Sequence, residues 1–216
     1  MSDSPLRLFV SVPVACFRVA YAREYWETYP CPPPSTIYGM LLSTVGETNR
    51  FVHKGAEIAL ALLSEPERSV VLRTLWRVKD KKLGPGLGKN ARPDFQELLT
   101  GVRLSIWIRK GTEKNGLLER LRQAFSNPAG VSRFGGLALG ESTHLVDEIR
   151  PWRPTDPDEG MLLVKAEGGG NITLPVWPDH VGSKGTKWGQ FRIQPKNRLS
   201  SVPESGAWIS ILPEEG

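Results

Sequence analysis

The sequence has little of the chemistry that metal centres and disulfide frameworks require. Its 216 residues include only two cysteines and three histidines, and neither residue type recurs at the spacing of metal ligands. Cys16 and Cys31 are too few for a disulfide framework, so we expect two reduced thiols. The composition predicts neither a metal ion nor a disulfide-stapled fold, and no sequence feature indicates another cofactor.

Long apolar runs are also missing. No stretch approaches the roughly 18 consecutive apolar residues of a membrane helix, and the N-terminal residues lack the pattern of a secretion signal. We therefore expect a cytoplasmic protein with no membrane partner.

The sequence contains no complete nucleotide-binding or hydrolase motif. Residues 84–89 read Gly-Pro-Gly-Leu-Gly-Lys, but Asn90 stands where a phosphate-binding loop needs Ser or Thr, and Pro85 lies inside the glycine run. A Gly-x-Ser-x-Gly nucleophile elbow does not occur. These absences favour a binding or scaffold role over an enzyme.

Positive charge is present and unevenly distributed. The net charge is +5; residues 68–92 carry eight basic side chains against one acid, and residues 182–198 carry five and none. Residues 141–159 are acidic by contrast. This segregation is typical of a protein with one face toward a polyanion. The alternative for either basic run is a solvated, lysine-rich loop.

The hydrophobic periodicity predicts an α+β domain over residues 1–150. Strands are expected at 6–17, 57–63, 70–78, 102–108 and 144–149, with helices at 36–45 and 117–125. Ser35 is expected to cap the first helix, Gly46 to end it, and Asp94 to cap one further turn reaching Thr100. The glycine-rich loop 80–93 is expected to be exposed and mobile. Without the strand at 70–78, the order is the β-α-β-β-α-β of ferredoxin-like folds, the usual platform of RNA-recognition modules.

Residues 151–216 are rich in Pro, Gly and Trp and predict a small β-rich C-terminal extension. Segments 161–166 and 172–177 are expected to pair with each other through the glycines at 168–170.

One segment carries a specific resemblance. Residues 28–41 read Thr-Tyr-Pro-Cys-Pro-Pro-Pro-Ser-Thr-Ile-Tyr-Gly-Met-Leu, preceded by Phe17-Arg18 and followed by Gly46-Glu47. This pattern resembles the N-terminal signature of the fifth Cas subunit family, in the repeat-associated RNA-binding superfamily of type I CRISPR Cascade complexes. Within that family, the sequence most resembles the DevS-like branch. The resemblance is strong over residues 6–50, fair to about residue 150 and weak beyond.

The resemblance implies a non-catalytic subunit of a prokaryotic antiviral defence complex. Such subunits bind and cap the 5′ handle of the guide RNA, contact the large subunit and the first backbone subunit, and lie near the target DNA. An extended hairpin, the thumb, covers the RNA, and the basic residues at about 77–93 are its natural candidate here.

The physical chemistry of individual side chains gives a set of RNA-binding candidates. Arg18 suits a bidentate phosphate contact, Tyr29 and Tyr38 suit base stacking, and backbone N–H groups at the start of the first helix favour an anion. The full set is Arg18, Tyr29, Ser35, Thr36, Tyr38, Arg77, Lys79, Lys81, Lys82, Lys89, Arg92, Arg133, Lys184 and Lys187. Alternatives stay open for several of these residues: Ser35 is equally a helix cap, and Tyr38 is equally a core residue. For Lys184 and Lys187 the alternative is a protein partner or no partner. Trp76 and Trp107 are expected to pack.

One branch of the family cleaves the repeat RNA without metal, using a Tyr/Lys/His set with adjacent Lys and His. Here His53-Lys54 has the reverse order and follows the first helix, so we expect no cleavage. A metal-independent endoribonuclease and a free-standing RNA-binding module remain the alternatives.

Overall fold

A computed structural model describes residues 4–22, 25–179 and 184–214. The chain is a mixed α/β protein with a mostly antiparallel sheet and two helices. The elements are β1 (Leu6–Ala15), β2 (Tyr25–Trp26), α1 (Pro34–Thr44), β3 (Glu57–Leu62), β4 (Glu67–Trp76), β5 (Ala91–Arg109), α2 (Leu117–Ser126), β6 (Glu148–Pro151), β7 (Glu159–Lys165), β8 (Ile172–Trp177), β9 (Lys187–Ile193), β10 (Asn197–Arg198) and β11 (Ile209–Ser210). Short 3-10 turns occur at Gly88–Asn90, Pro128–Gly130 and Ser205–Ala207.

The sheet runs in the order β6-β1-β5-β3-β7-β9-β8, and every pair along that path is antiparallel. Of the flanking strands, β4 and β2 pair with β5, β11 with β3, and β10 with β7. The alternation that predicted β1 is confirmed: Leu8, Val10 and Val12 are fully buried.

Both predicted helices are present and supply the core side chains of one sheet face. Ile37 and Leu41 of α1 and Leu121 of α2 are completely buried. Gly46 ends α1 as predicted, with a left-handed φ of 69° and an N–H that donates to Ser43. The predicted Ser35 cap is wrong: α1 begins at Pro34, and the Ser35 hydroxyl donates to the Pro175 carbonyl at 2.9 Å.

The other sheet face is covered by the C-terminal part of the chain. Trp107 of β5 and Trp208 are both at most 2% exposed and belong to one cluster. Arg7 lies against two indoles, with its guanidinium carbon 3.4 Å from the Trp152 ring centroid and 4.6 Å from that of Trp107. The face that RNA-recognition modules leave open is therefore occupied here.

The predicted helical turn from Asp94 to Thr100 is wrong, because both residues lie inside β5. This strand has 19 residues and changes neighbours along its length: 91–100 pair with β4, and 104–109 pair with β3. Gly101, with φ of 72°, marks the change. The predicted strands at 57–63 and 70–78 correspond to β3 and β4.

The C-terminal residues extend the main sheet. Segments β7 and β8 do not pair with each other as predicted, because β9 lies between them. Both β7 and β11 pair with β3. The strand predicted at 144–149 begins later, at Glu148. No helix among the described residues is long and apolar enough to cross a membrane.

Candidate nucleic-acid interface

The predicted basic residues at 77–89 lie together at the tip of a long hairpin. Strands β4 and β5 are in register from Glu67↔Thr100 to Trp76↔Ala91. Ten residues of antiparallel strand extend about 34 Å, so the tip stands well beyond the body of the sheet. Exposed cations crowd this tip: Arg77, Lys79, Lys81, Lys82 and Lys89.

The loop at the tip is organised by one buried side chain, Asn90. Its Oδ1 accepts the N–H groups of Lys79 and Asp80 at 2.8 Å each, and its amide nitrogen donates to the Asp80 and Leu83 carbonyls at 2.8 Å. Asp80 in turn accepts the Lys82 N–H at 2.9 Å. The loop therefore has a defined network of internal hydrogen bonds, and the mobility that its glycines predicted stays a prediction.

One face of the hairpin stem is apolar and exposed. Leu72 and Phe95 are cross-strand neighbours, 65% and 51% exposed, and the Tyr25 ring lies 6.5 Å from that of Phe95. Trp107 packs as expected, but the same prediction for Trp76 is wrong, because this side chain is 72% exposed. Its ring lies against Gly86, where any Cβ would come within 2.8 Å of it.

The opposite face of the stem carries the polar side chains of Arg73 and Gln96 among its residues, and Arg18 lies beside it. The guanidinium carbons of Arg18 and Arg73 lie 4.1 Å and 5.0 Å from the Trp26 ring centroid. Arg73 also donates to Gln96 and, at 3.2 Å, to Glu141. Arg18 itself is exposed and donates to the Ala22 carbonyl at 2.8 Å. The interface thus combines a fixed, solvent-facing arginine with the base of the thumb.

The tyrosines at the entrance of α1 are core residues. Tyr38 is 4% exposed, donates its hydroxyl to the Arg50 carbonyl at 2.7 Å and lies 6.1 Å from the Trp177 ring. Tyr29 is 9% exposed. Burial raises the pKa of both phenols. Of the two alternatives for Tyr38, packing is what the structure shows, and Tyr29 likewise packs in the core. Thr36 and Ser35 lie half-buried in the first turn of α1.

The other candidate residues are dispersed. Arg92 makes an ion pair with Asp94 at 2.7 Å on the polar face of the stem. Arg133 is exposed on the loop after α2. Lys184 is exposed, and Lys187 is the first residue of β9, where it stands opposite Trp177.

The histidine beside Lys54 is structural. His53 is fully buried, with Nδ1 2.8 Å from a Glu113 oxygen and Nε2 2.8 Å from Arg120. Because a guanidinium can only donate, Nε2 accepts from Arg120, and Nδ1 faces the Glu113 carboxylate. His144 accepts the Cys16 N–H on Nδ1 at 3.0 Å, and His180 lies outside the described residues. Among the described residues no His, Cys, Asp and Glu cluster could hold a metal ion.

The side-chain contacts that shape this interface could not be predicted from the sequence. Trp26, Arg73, Gln96 and Glu141 meet only because separate strands and loops converge there. Asn90 is the exception, since a polar residue closing a Gly-rich hairpin loop is a recognisable turn device.

Solved structures show which class of fold this is. A chain titled "CRISPR RNA-guided surveillance complex" aligns with a TM-score of 0.62 and 13% identity over 94% of this chain and 96% of its own. Another chain, titled "Crystal structure of Cas protein", aligns with a TM-score of 0.53 and 14% identity. The alignment covers 93% of this chain and 100% of the other. The fold is therefore one that Cas proteins use.

Sequence similarity narrows the class to a family. "CRISPR-associated protein Cas5" of Myxococcus xanthus (strain DK1622) is 42% identical over 192 residues, 88% of this chain and 90% of the relative. No family model matches. This chain belongs to the Cas5 family, as its N-terminal signature predicted; the DevS-like branch stays a prediction.

Proposed function

We propose that this chain is a non-catalytic subunit of a type I Cascade complex that binds and caps the 5′ handle of the guide RNA. The observation that carries the proposal is the thumb: an ordered loop that presents five exposed cations at the end of a long hairpin. Its acid, Asp80, turns one carboxylate oxygen to the Lys82 N–H. Such a tip attracts phosphate irrespective of sequence.

Arg18 extends the proposed RNA path to the base of the hairpin. Trp26 and the Ala22 carbonyl hold its guanidinium, so a phosphate contact there costs little additional side-chain ordering. The path then runs along the polar face of the stem, from Arg18 past Arg73 to the lysines.

The proposed fold is ferredoxin-like over residues 1–150, with 151–216 as an extension. The order β6-β1-β5-β3, with α1 and α2 as crossovers, supports this assignment. The large subunit, the first backbone subunit and target DNA are the proposed partners, in the prokaryotic cytoplasm.

The geometry of the two described histidines, His53 and His144, supports a role without catalysis. His53 is enclosed with both ring nitrogens engaged, and burial lowers the pKa of His144, which already accepts a backbone N–H. Neither imidazole is placed to shuttle protons on a bound RNA.

The test uses the purified chain and synthetic handle RNA. We expect Lys79, Lys81 and Lys82→Glu to weaken binding strongly and to reduce the slope of log affinity against log salt by about 2. A matched control replaces the exposed lysines of other surfaces, Lys110, Lys114 and Lys165, with Glu. Equal effects of the two triple variants would contradict a thumb site.

The same preparation tests catalysis. Incubation with repeat RNA in EDTA should leave the RNA intact. Specific cut products would instead establish the metal-independent endoribonuclease.

A further inference from the structure

A second concave site lies away from the thumb, beside the outer face of α1. It has a volume of about 310 Å³ and is bounded by α1, the loop after α1, the loop after α2 and the end of β8. Small-ligand sites begin at about 300 Å³, so the cavity has room for one small aromatic group with its substituents.

One wall is a rigid aromatic and cationic stack. Trp177 is 3% exposed and lies 5.3 Å from the Phe51 ring. The guanidinium of Arg50 lies 4.8 Å from the Trp177 ring and donates to the Pro178 carbonyl. Because Arg50 is held on both sides, its charge has a fixed position at the rim of the cavity.

The opposite wall presents a bare aromatic ring. Phe134 is 100% exposed, and Arg133 makes no hydrogen bond or ion pair with any described residue. The start of their loop packs closely against the end of α1. A Cβ added at Gly46 would come within 2.1 Å of the backbone carbonyl oxygen of Ser132. The exposed ring and the exposed guanidinium beside it are therefore both accessible to a ligand at the mouth of the cavity.

The cavity has free space beside α1, and the one acidic residue that lines it is paired with an arginine. Gly39 of α1 faces the cavity, and a Cβ added there would meet nothing within 4 Å. Glu47 also lines the cavity, but its carboxylate binds Arg120 at 2.8 Å and the Asn49 N–H at 2.9 Å. The remaining charges, Arg50 and Arg133, are positive.

We propose that this cavity binds a single unstacked nucleotide of single-stranded RNA. Phe134 stacks on the base, and Arg133 pairs with the adjacent phosphate. Exposed aromatic rings interleaved with arginine are the standard means of holding splayed-out bases. The proposal rests on the RNA-binding function above and assigns it a second contact point, separate from the thumb.

Gly39 allows a clean test because it lies on a helix beside empty space. Gly39→Phe should fill the cavity without disturbing the fold, and Gly39→Ala is the matched control. Short single-stranded RNA oligonucleotides carrying iodouridine at one position each are photo-crosslinked to the full-length protein. We expect one position to crosslink to Phe134, and this product to disappear in Gly39→Phe but not in Gly39→Ala.

Binding measurements complete the test. Phe134→Ala and Gly39→Phe should each weaken RNA binding roughly tenfold, the usual effect of losing one stacked base, with an unchanged melting temperature. Wild-type affinity in both variants, with crosslinks only to the thumb, would overturn the inference while the lysine variant still supported the proposed function.

A protein occupant gives a different result. If Gly39→Phe leaves RNA affinity intact but prevents association with another Cascade subunit, the cavity is a protein-docking site and the inference is wrong. If neither the cavity variants nor the lysine variant alters RNA binding, the proposed function fails with it.

Discussion

The side-chain oxygen of Asn90 accepts the backbone N–H of Lys79 at 2.8 Å, although the two residues lie on opposite sides of the thumb loop. The same amide also holds Asp80, Leu83 and Gly84. One buried side chain therefore sets the positions of the cations proposed to contact RNA.

Asn90→Ala should loosen the thumb loop without unfolding the protein. Five backbone groups lose their partner, at a cost of about 2 kcal/mol that is confined to the tip because the core does not contact it. Amide exchange at Lys79 and Asp80 should accelerate by more than tenfold, while the melting temperature stays constant. Asn90→Asp, which keeps the acceptor and loses the donors, should be intermediate. Unchanged exchange in Asn90→Ala would show that the loop is held by other contacts.

Arg18→Ala should reduce affinity for handle RNA by roughly tenfold, the effect of one charge-assisted hydrogen bond. Arg18→Lys should recover only part of this, since an ammonium cannot make the forked phosphate contact. Binding of each variant is compared with the unfolding midpoint, which should not move. A lysine variant that binds like the alanine variant would fit a bidentate contact, and wild-type binding by both would exclude Arg18 from the RNA path.

Glu113→Ala should destabilise the fold by about 3 kcal/mol, because it leaves buried groups unpaired. Glu113 is 1% exposed. Its carboxylate accepts hydrogen bonds from His53 Nδ1 and from the backbone N–H groups of Gly116 and Leu117 at the start of α2. Glu119→Ala in the first turn of α2 is the control and should cost less than about 1 kcal/mol, because its carboxylate is exposed. Urea denaturation checks both; similar losses would show that the His53 network adds nothing.

His144 should make the stability of the fold dependent on pH. Burial lowers its pKa from the usual 6.5, with Arg73 acting in the same direction and Glu141 opposing. A depressed pKa means that the unfolded chain binds the proton more tightly, so this contribution is complete above pH 6.5 and is lost as pH falls toward the folded-state pKa. Protonation also ends acceptance of the Cys16 N–H.

The measurement is the free energy of unfolding of wild type and His144→Asn across this pH range. Their difference should shrink as the pH falls below 6.5. A difference that is constant with pH would contradict the assignment.

Local patterns predicted some elements well. The predictions of strand β1 and helix α2 are confirmed. In both, the spacing of the apolar residues matches the face that the element buries, and the whole pattern lies within a short stretch of chain. The helical turn predicted at 94–100 is wrong because Asp94 has the chemistry of a helix cap but lies within β5. In the fold, cross-strand pairing with β4 dominates over that local preference.

By itself, the sequence determined the family, through the proline-rich signature after Arg18. It also determined the presence of a basic segment at the position of the thumb. It further determined the positions of both helices, α1 and α2, because the face that a helix buries is set by residues three and four positions apart in the sequence. Only the tertiary structure decided that Tyr38 packs inside, that the C-terminal strands join β3, and that Arg50, Arg133 and Phe134 border one cavity. The reason is physical: burial and the convergence of distant side chains depend on long-range packing, which no local periodicity encodes.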